Sequence, residues 1–233
     1  MTTYFPVFLE LSGRAVLIVG GGPVAWEKVE SLKSTGAEIT ILSPTISLQI
    51  QGEVDAGRLV WIEKAFEPAD VIPYFMIVAA TDDPATNAEV FQTGNALNRL
   101  TNSVDDPENC NFIMSAIVRQ GPMQVAVSSS GCSPALAQQI RNRISDDLLT
   151  PEVGRLGEFL GQWRPAVKSS LGSYKHRQGF WARVLASDVP ALLNINETEA
   201  GEAMTRGLRW AEEHPECLLC GRHELGFDCG ETT

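Results

Sequence analysis

Residues 15–32, "AVLIVGGGPVAWEKVESL", pass from five apolar residues through three consecutive glycines into a segment with helical recurrence of apolar side chains. Few chain geometries accommodate that order. A buried strand that turns directly into a helix needs glycine where the backbone takes positive φ or passes close to a neighbour. Gly20, Gly22 and Ala25 stand in the G-x-G-x-x-A arrangement. Its first glycine permits the tight turn, its second lets a dinucleotide pyrophosphate reach the backbone, and its small third residue lets helix pack on strand. The helix start then offers N–H groups and the positive end of its dipole to phosphate. The stretch predicts a dinucleotide-binding βαβ unit; a merely tight structural turn is the competing reading.

Residues 14–20, 38–43, 58–63, 75–81, 100–104 and 123–128 read as strands. Segments 24–36 and 85–98 read as crossover helices, the first with Val24, Val29 and Leu32 as its apolar side and Gly36 as its stop. This alternation predicts an α/β fold, a Rossmann-type doubly wound and largely parallel sheet. From Ser133 onward strand signals cease, and 133–149, 151–172, 174–187 and 196–214 read as helices. A domain boundary is therefore expected near residues 115 to 150.

The net charge of -11 argues against nucleic acid or an anionic membrane as partner, because both select a positive surface. No apolar run approaches the ~20 residues that span a bilayer, and "MTTYFPVFLELSGR" lacks the basic start and cleavage site of a signal peptide. A cytoplasmic protein with small-molecule partners is expected. Its five cysteines are then free thiols or metal ligands. Cys217, Cys220, His223 and Cys229 have C-x2-C-x2-H-x5-C spacing, which suits a tetrahedral zinc site better than an iron site. The competing reading is a reduced tail without metal. Strand 38–43 ends in Ser43 and Pro44 where an acidic ribose partner is usual, and no Arg stands there for a 2′-phosphate, which tilts the cofactor to NAD.

Four segments in order, "FPVFLELSGRAVLIVGGGPVAWEKVESL", "VAATDDPATN", "TNSVDDPENCNFIMSAIV" and "VAVSSSGCSPALAQQIR", with a fainter "GFWARVL", resemble the precorrin-2 dehydrogenases and siroheme synthase N-terminal-type domains. The resemblance covers about residues 4 to 185. It implies NAD-dependent oxidation of precorrin-2 to sirohydrochlorin, in some members with ferrous iron insertion to siroheme. It also implies a homodimer with a Rossmann domain (1–114), a dimerisation region (115–150) and a small helical domain (151–215), ahead of the Cys-rich tail (216–233).

Carried over residue by residue, the resemblance gives Gly20, Gly21, Gly22, Pro23 and Val24 as the pyrophosphate and ribose contact, and Pro44 and Thr45 as a second cofactor segment. Thr81, with Asp82, lies where the doubly wound fold puts ligand-facing loops, or else caps a helix. Asp105 falls on the acidic position needed for oxidation: hydride loss must be matched by proton loss, and a carboxylate can accept the proton. Asp106 beside it is a second negative charge of unassigned role, and both aspartates could equally serve a turn. Ser128, Ser129 and Ser130 would line the tetrapyrrole cleft, with Cys132 a small buried residue. Arg164, Lys168, Lys175, His176, Arg177 and Arg183 form a basic island suited to a polycarboxylate, or a solvated helical face, and Arg141 and Arg143 could add to it. A different class stays open: a non-catalytic NAD-sensing module with a metal- or redox-responsive tail.

Overall fold

The computed structural model describes residues 3–219, which form two compact units. Among the described residues the first comprises 3–115 with 129–133, and the second 116–128 with 134–219, so the chain passes between units three times.

The first unit is built on five parallel strands, β1 (Ala15–Val19), β2 (Glu38–Leu42), β3 (Val60–Ile62), β4 (Met76–Ala79) and β5 (Leu100–Ser103), in the order β3-β2-β1-β4-β5. Side chains alternate along a strand, so Val16 and Ile18 join one apolar layer, with Ala25, Val29, Leu32, Ile39 and Ile41. Leu17 and Val19 face the other way, into a layer with Leu42, Ile77, Ala79 and Val90. Both faces of the sheet are covered, which is why its central strands are apolar runs rather than alternating ones. The crossover helices are α1 (Pro23–Leu32), α2 (Leu48–Asp55) and α3 (Pro84–Ala96). Pro23 sits in the first turn of α1, where its missing N–H costs nothing. A 3-10 extension ends at Gly36 with φ 74°, the left-handed stop that glycine allows. Val24 is exposed and Ala25 takes its expected place on the buried side.

The second unit opens with a hairpin. β6 (Ala116–Gln120) pairs antiparallel with β7 (Met123–Val127) around Gly121 and Pro122. The strand expected at 123–128 thus lies outside the parallel sheet, because a turn this short can only reverse the chain. Five helices follow: α4 (Pro134–Asp147), α5 (Pro151–Ser170), α6 (Tyr174–Ala186), α7 (Val189–Ile195) and α8 (Glu197–Glu213). Phe159, Val167, Phe180, Val184, Leu193 and Met204 form the core of α5 to α8. Among the described residues no helix is long and apolar enough to cross a membrane.

Candidate active site

In the first unit the chain reverses its direction of growth across the sheet between β1 and β4, the switch point where doubly wound folds bind ligands beyond the carboxyl ends of the strands. The glycine turn follows β1 at this point, and its three glycines differ physically. Gly20 has φ 122°, and a Cβ there would stand 2.3 Å from the Ala80 carbonyl oxygen. A Cβ on Gly21 would stand 2.0 Å from the Thr45 carbonyl oxygen. These two glycines let the turn lie flat against the ends of β4 and β2, where Gly20 N–H donates to Leu42 O (2.9 Å) and Ser47 N–H to Gly21 O (2.8 Å). A Cβ on Gly22 would meet nothing within 4 Å. That open space lies at the start of α1, whose first-turn amides lack partners inside the helix. A cradle that only the second motif glycine leaves empty, at a helix N-terminus, fits a dinucleotide pyrophosphate. Pro23, Val24, Pro44 and Thr45 are exposed around it.

Thr81, in the loop after β4, is committed to its own chain. Its hydroxyl lies 2.7 Å from Asn87 Oδ1, its N–H donates to the same oxygen (3.2 Å), and its carbonyl accepts from Asn87 Nδ2 (3.0 Å). Asp83 caps α3 by accepting from Ala85 N–H and Thr86 N–H, and the Thr86 hydroxyl, with those two amides, holds its carboxyl below the usual value. Among these residues the geometry is that of a helix start.

Asp105 and Asp106 follow β5, the edge strand, separated from β1 by β4. Ordinary strand spacing puts the ends of β1 and β5 ~10 Å apart. The two carboxylates have different fates. Asp106 accepts from Asn109 Nδ2 at 2.6 Å and donates its N–H to Ser103 O at 3.3 Å, so it closes the turn. Asp105 is exposed, makes no hydrogen bond or ion pair among the described residues, and has φ 60°. Aspartate tolerates this left-handed conformation better than most residues. The turn therefore spends one aspartate on structure and presents the other to solvent.

The serine loop contains two further left-handed residues, Ser130 (φ 52°) and Gly131 (φ 85°). Ser129 Oγ accepts from Ser133 N–H at 2.9 Å, ahead of α4, while Ser128 and Ser130 are exposed. Cys132 is exposed and not buried as expected, because the turn carries it outward ahead of α4. In the second unit Arg164, Lys168 and Lys175 are exposed, and Arg141 is half-buried. Arg177 donates to Leu171 O and Gly172 O, both at 2.8 Å, closing the C-terminus of α5. Arg183 leaves the expected surface island altogether: it is fully buried, donates to Cys217 O and lies over the Trp210 ring. Of the proposed metal ligands, Cys217 is half-buried in a 3-10 turn, and Cys220, His223 and Cys229 lie outside the described residues. Among the described residues no cluster of metal-ligating side chains occurs.

An NAD(P)-binding family model matches residues 7–116, a model of the sirohaem biosynthesis protein central region matches 120–146, and one of the sirohaem synthase dimerisation region matches 152–208. Over residues 120–208 the matching models are sirohaem ones, and the chain is similar in sequence to siroheme synthases. Siroheme synthase of Mannheimia succiniciproducens is 37% identical over 199 residues, covering 85% of this chain and 42% of that protein. That of Actinobacillus pleuropneumoniae is 34% identical over 223 residues, covering 95% and 45%. The chain thus spans less than half the length of these curated relatives. Among solved structures, SirC, a precorrin-2 dehydrogenase, superposes with a TM-score of 0.73 at 27% identity, over 87% of this chain and 100% of that one. The Rossmann-type sheet followed by a helical region is the fold they share. The dimerisation match lies on α5 to α8, C-terminal to the segment expected to dimerise.

Proposed function

We propose that this chain is an NAD-dependent precorrin-2 dehydrogenase that forms sirohydrochlorin, acting in the cytoplasm as a homodimer. The observation that carries the reading is the free, exposed Asp105 carboxylate beyond the carboxyl end of β5, on the same edge of one sheet as the open cradle at Gly22. When bound, NAD supplies the hydride acceptor. The chain's part is to hold the pyrophosphate at Gly20, Gly21, Gly22 and the α1 amides, with Pro23, Val24, Pro44 and Thr45 flanking the ribose. Asp105 takes the proton that must leave the substrate with the hydride. Thr81 acts through the cap it forms with Asn87, shaping the loop beside the cofactor. By the resemblance, Ser128, Ser129, Ser130, Arg141, Lys175 and Arg177 are the residues offered to the substrate's carboxylates.

The 152–208 match supports the dimer, as do the exposed Leu136 and Ile140, one turn apart on α4. Ferrochelation would use the same carboxylate. A zinc or iron ion held by Cys217, Cys220, His223 and Cys229 would be structural or regulatory.

The test is anaerobic turnover of precorrin-2 with NAD, following NADH and sirohydrochlorin. Asp105→Asn keeps a side chain that tolerates left-handed φ and removes only the base, so turnover should fall about 100-fold or more. Wild-type turnover by this variant would overturn the assignment of Asp105. Absence of NADH formation by the native protein would leave the NAD-sensing reading in its place. Added ferrous iron then tests chelation, which fails if siroheme forms no faster than in its spontaneous reaction.

A further inference from the structure

Beyond Asp105 the chain turns back to the end of β5 and is fastened there by backbone and side-chain bonds, three of which meet at one sulfur. Asn102 and Cys110 form an isolated antiparallel bridge, and Asn111 exchanges bonds with Thr101, N–H to Thr101 O at 3.0 Å and Oδ1 from Thr101 N–H at 2.8 Å. The half-buried Cys110 Sγ lies 3.2 Å from Ser103 O and 3.2 Å from Asp106 O. Asn102 Nδ2 approaches the same sulfur at 3.2 Å and donates to Phe112 O at 3.0 Å. The thiol has one proton, which the two carbonyls share, while the sulfur accepts from the amide. Those carbonyls bracket Asp105, two residues before it and one after. Between them lies the single positive φ of the loop, 60° at Asp105 itself. A left-handed non-glycine residue persists only where its surroundings over-determine it. Here the bonds that do so converge on Cys110 and Asp106.

We propose that Cys110 is a positioning residue for Asp105: by holding the Ser103 and Asp106 carbonyls together, its thiol sets the direction in which the Asp105 carboxylate leaves the backbone. The inference rests on the reading of Asp105 as the proton acceptor. Burial raises the Cys110 thiol above its ordinary value, outweighing the Ser103 hydrogen bond that lowers it, and the Asp106 charge adds to the rise. The group therefore stays protonated at neutral pH and remains a donor. Cys110→Ser keeps a donor on a shorter arm, whereas Cys110→Ala removes it.

The experiment is a double-mutant cycle of Cys110→Ala and Asp105→Asn in the anaerobic assay, with Cys110→Ser alongside and amide hydrogen exchange measured on every variant. Cys110→Ala should lower kcat about 10-fold, leave KM for NAD within about twofold, and be largely rescued by Cys110→Ser. In the Asp105→Asn background the same substitution should change kcat by less than about twofold, because the group it aims is gone. Exchange at Asp106 N–H and Asn109 N–H should quicken in Cys110→Ala whatever the activity. Equal losses in both backgrounds, or unchanged exchange, overturn the positioning role. If Asp105→Asn falls below detection, the serine rescue and the exchange decide. Native turnover by Asp105→Asn overturns the underlying reading instead, and the exchange data tell the two failures apart.

Discussion

Gly22→Ala separates what the glycine turn does for the fold from what it does for a ligand. Gly22 has φ -85° and ψ -169°, open to alanine without strain, and its new methyl would meet no heavy atom within 4 Å. Alanine narrows the unfolded ensemble, worth about 0.4–1 kcal/mol, and is a poorer helix N-cap than glycine by about the same amount. The two nearly cancel, so unfolding free energy should stay within about 0.5 kcal/mol of native. The methyl does, however, fill the space assigned to the pyrophosphate. Displacing the phosphate from one amide forfeits a charge-assisted bond of about 1.5–3 kcal/mol, or about 10- to 100-fold in the NAD dissociation constant. Calorimetric titration with NAD and urea unfolding on the same preparations measure both. Gly21→Ala is the counterpart: a Cβ 2.0 Å from Thr45 O must push the loop after β2 aside by about 1 Å, at about 1–3 kcal/mol of stability. Unchanged NAD affinity in Gly22→Ala, or a stability loss as large as that of Gly21→Ala, would refute the cradle.

Asn87→Ala strips Thr81 of the three bonds it makes with that side chain and should cost about 1–3 kcal/mol in chemical unfolding, while the NAD dissociation constant moves less than about threefold. Arg177→Ala uncaps α5 and should lower the melting temperature, and Arg177→Lys should restore it only in part, since one nitrogen, Nη1, donates to both carbonyls and the lysine ammonium sits one bond nearer the backbone. Lys175→Ala, at an exposed position, should instead raise KM for the tetrapyrrole and spare stability. The raised Cys110 thiol makes a stability contribution that is complete below its ordinary value of 9.0 and is lost as pH rises through its higher folded value. Unfolding free energies from about pH 8 to about pH 11 should fall more steeply for the native protein than for Cys110→Ala.

Strands β1, β2 and β4 were legible because burial on both faces leaves continuous apolar runs, and "GGGP" between strand and helix admits few geometries. The hairpin was not read as one: "MQVAVS" looks like a sixth parallel strand until Gly121 and Pro122 are taken with "AIVRQ" as a reversal. Helix α2 buries only Ile50 and contains Gly52, too little periodicity to register in eight residues. α7, seven residues long, was hidden for the same reason. At the site, the position of Asp105 could be named from its segment, but its division of labour with Asp106 depends on φ and on Asn109. Cys110 left no signal, because its partners at separations of four, seven and eight residues exist only once the loop has closed. Arg183 read as one more surface cation, since its burial depends on the 3-10 turn at Pro215–Leu219 folding back on α6.

The chain leaves the first unit after Ser115, returns for Ser129–Ser133, and leaves again. No single cut can release either unit intact. A fragment ending at Ser115 lacks five residues of its own body, and one beginning at Ala116 carries five that belong elsewhere. Circular permutation or gene shuffling at that border would interrupt both bodies at once. Neither unit is thus one continuous stretch of chain, although each has a core of its own.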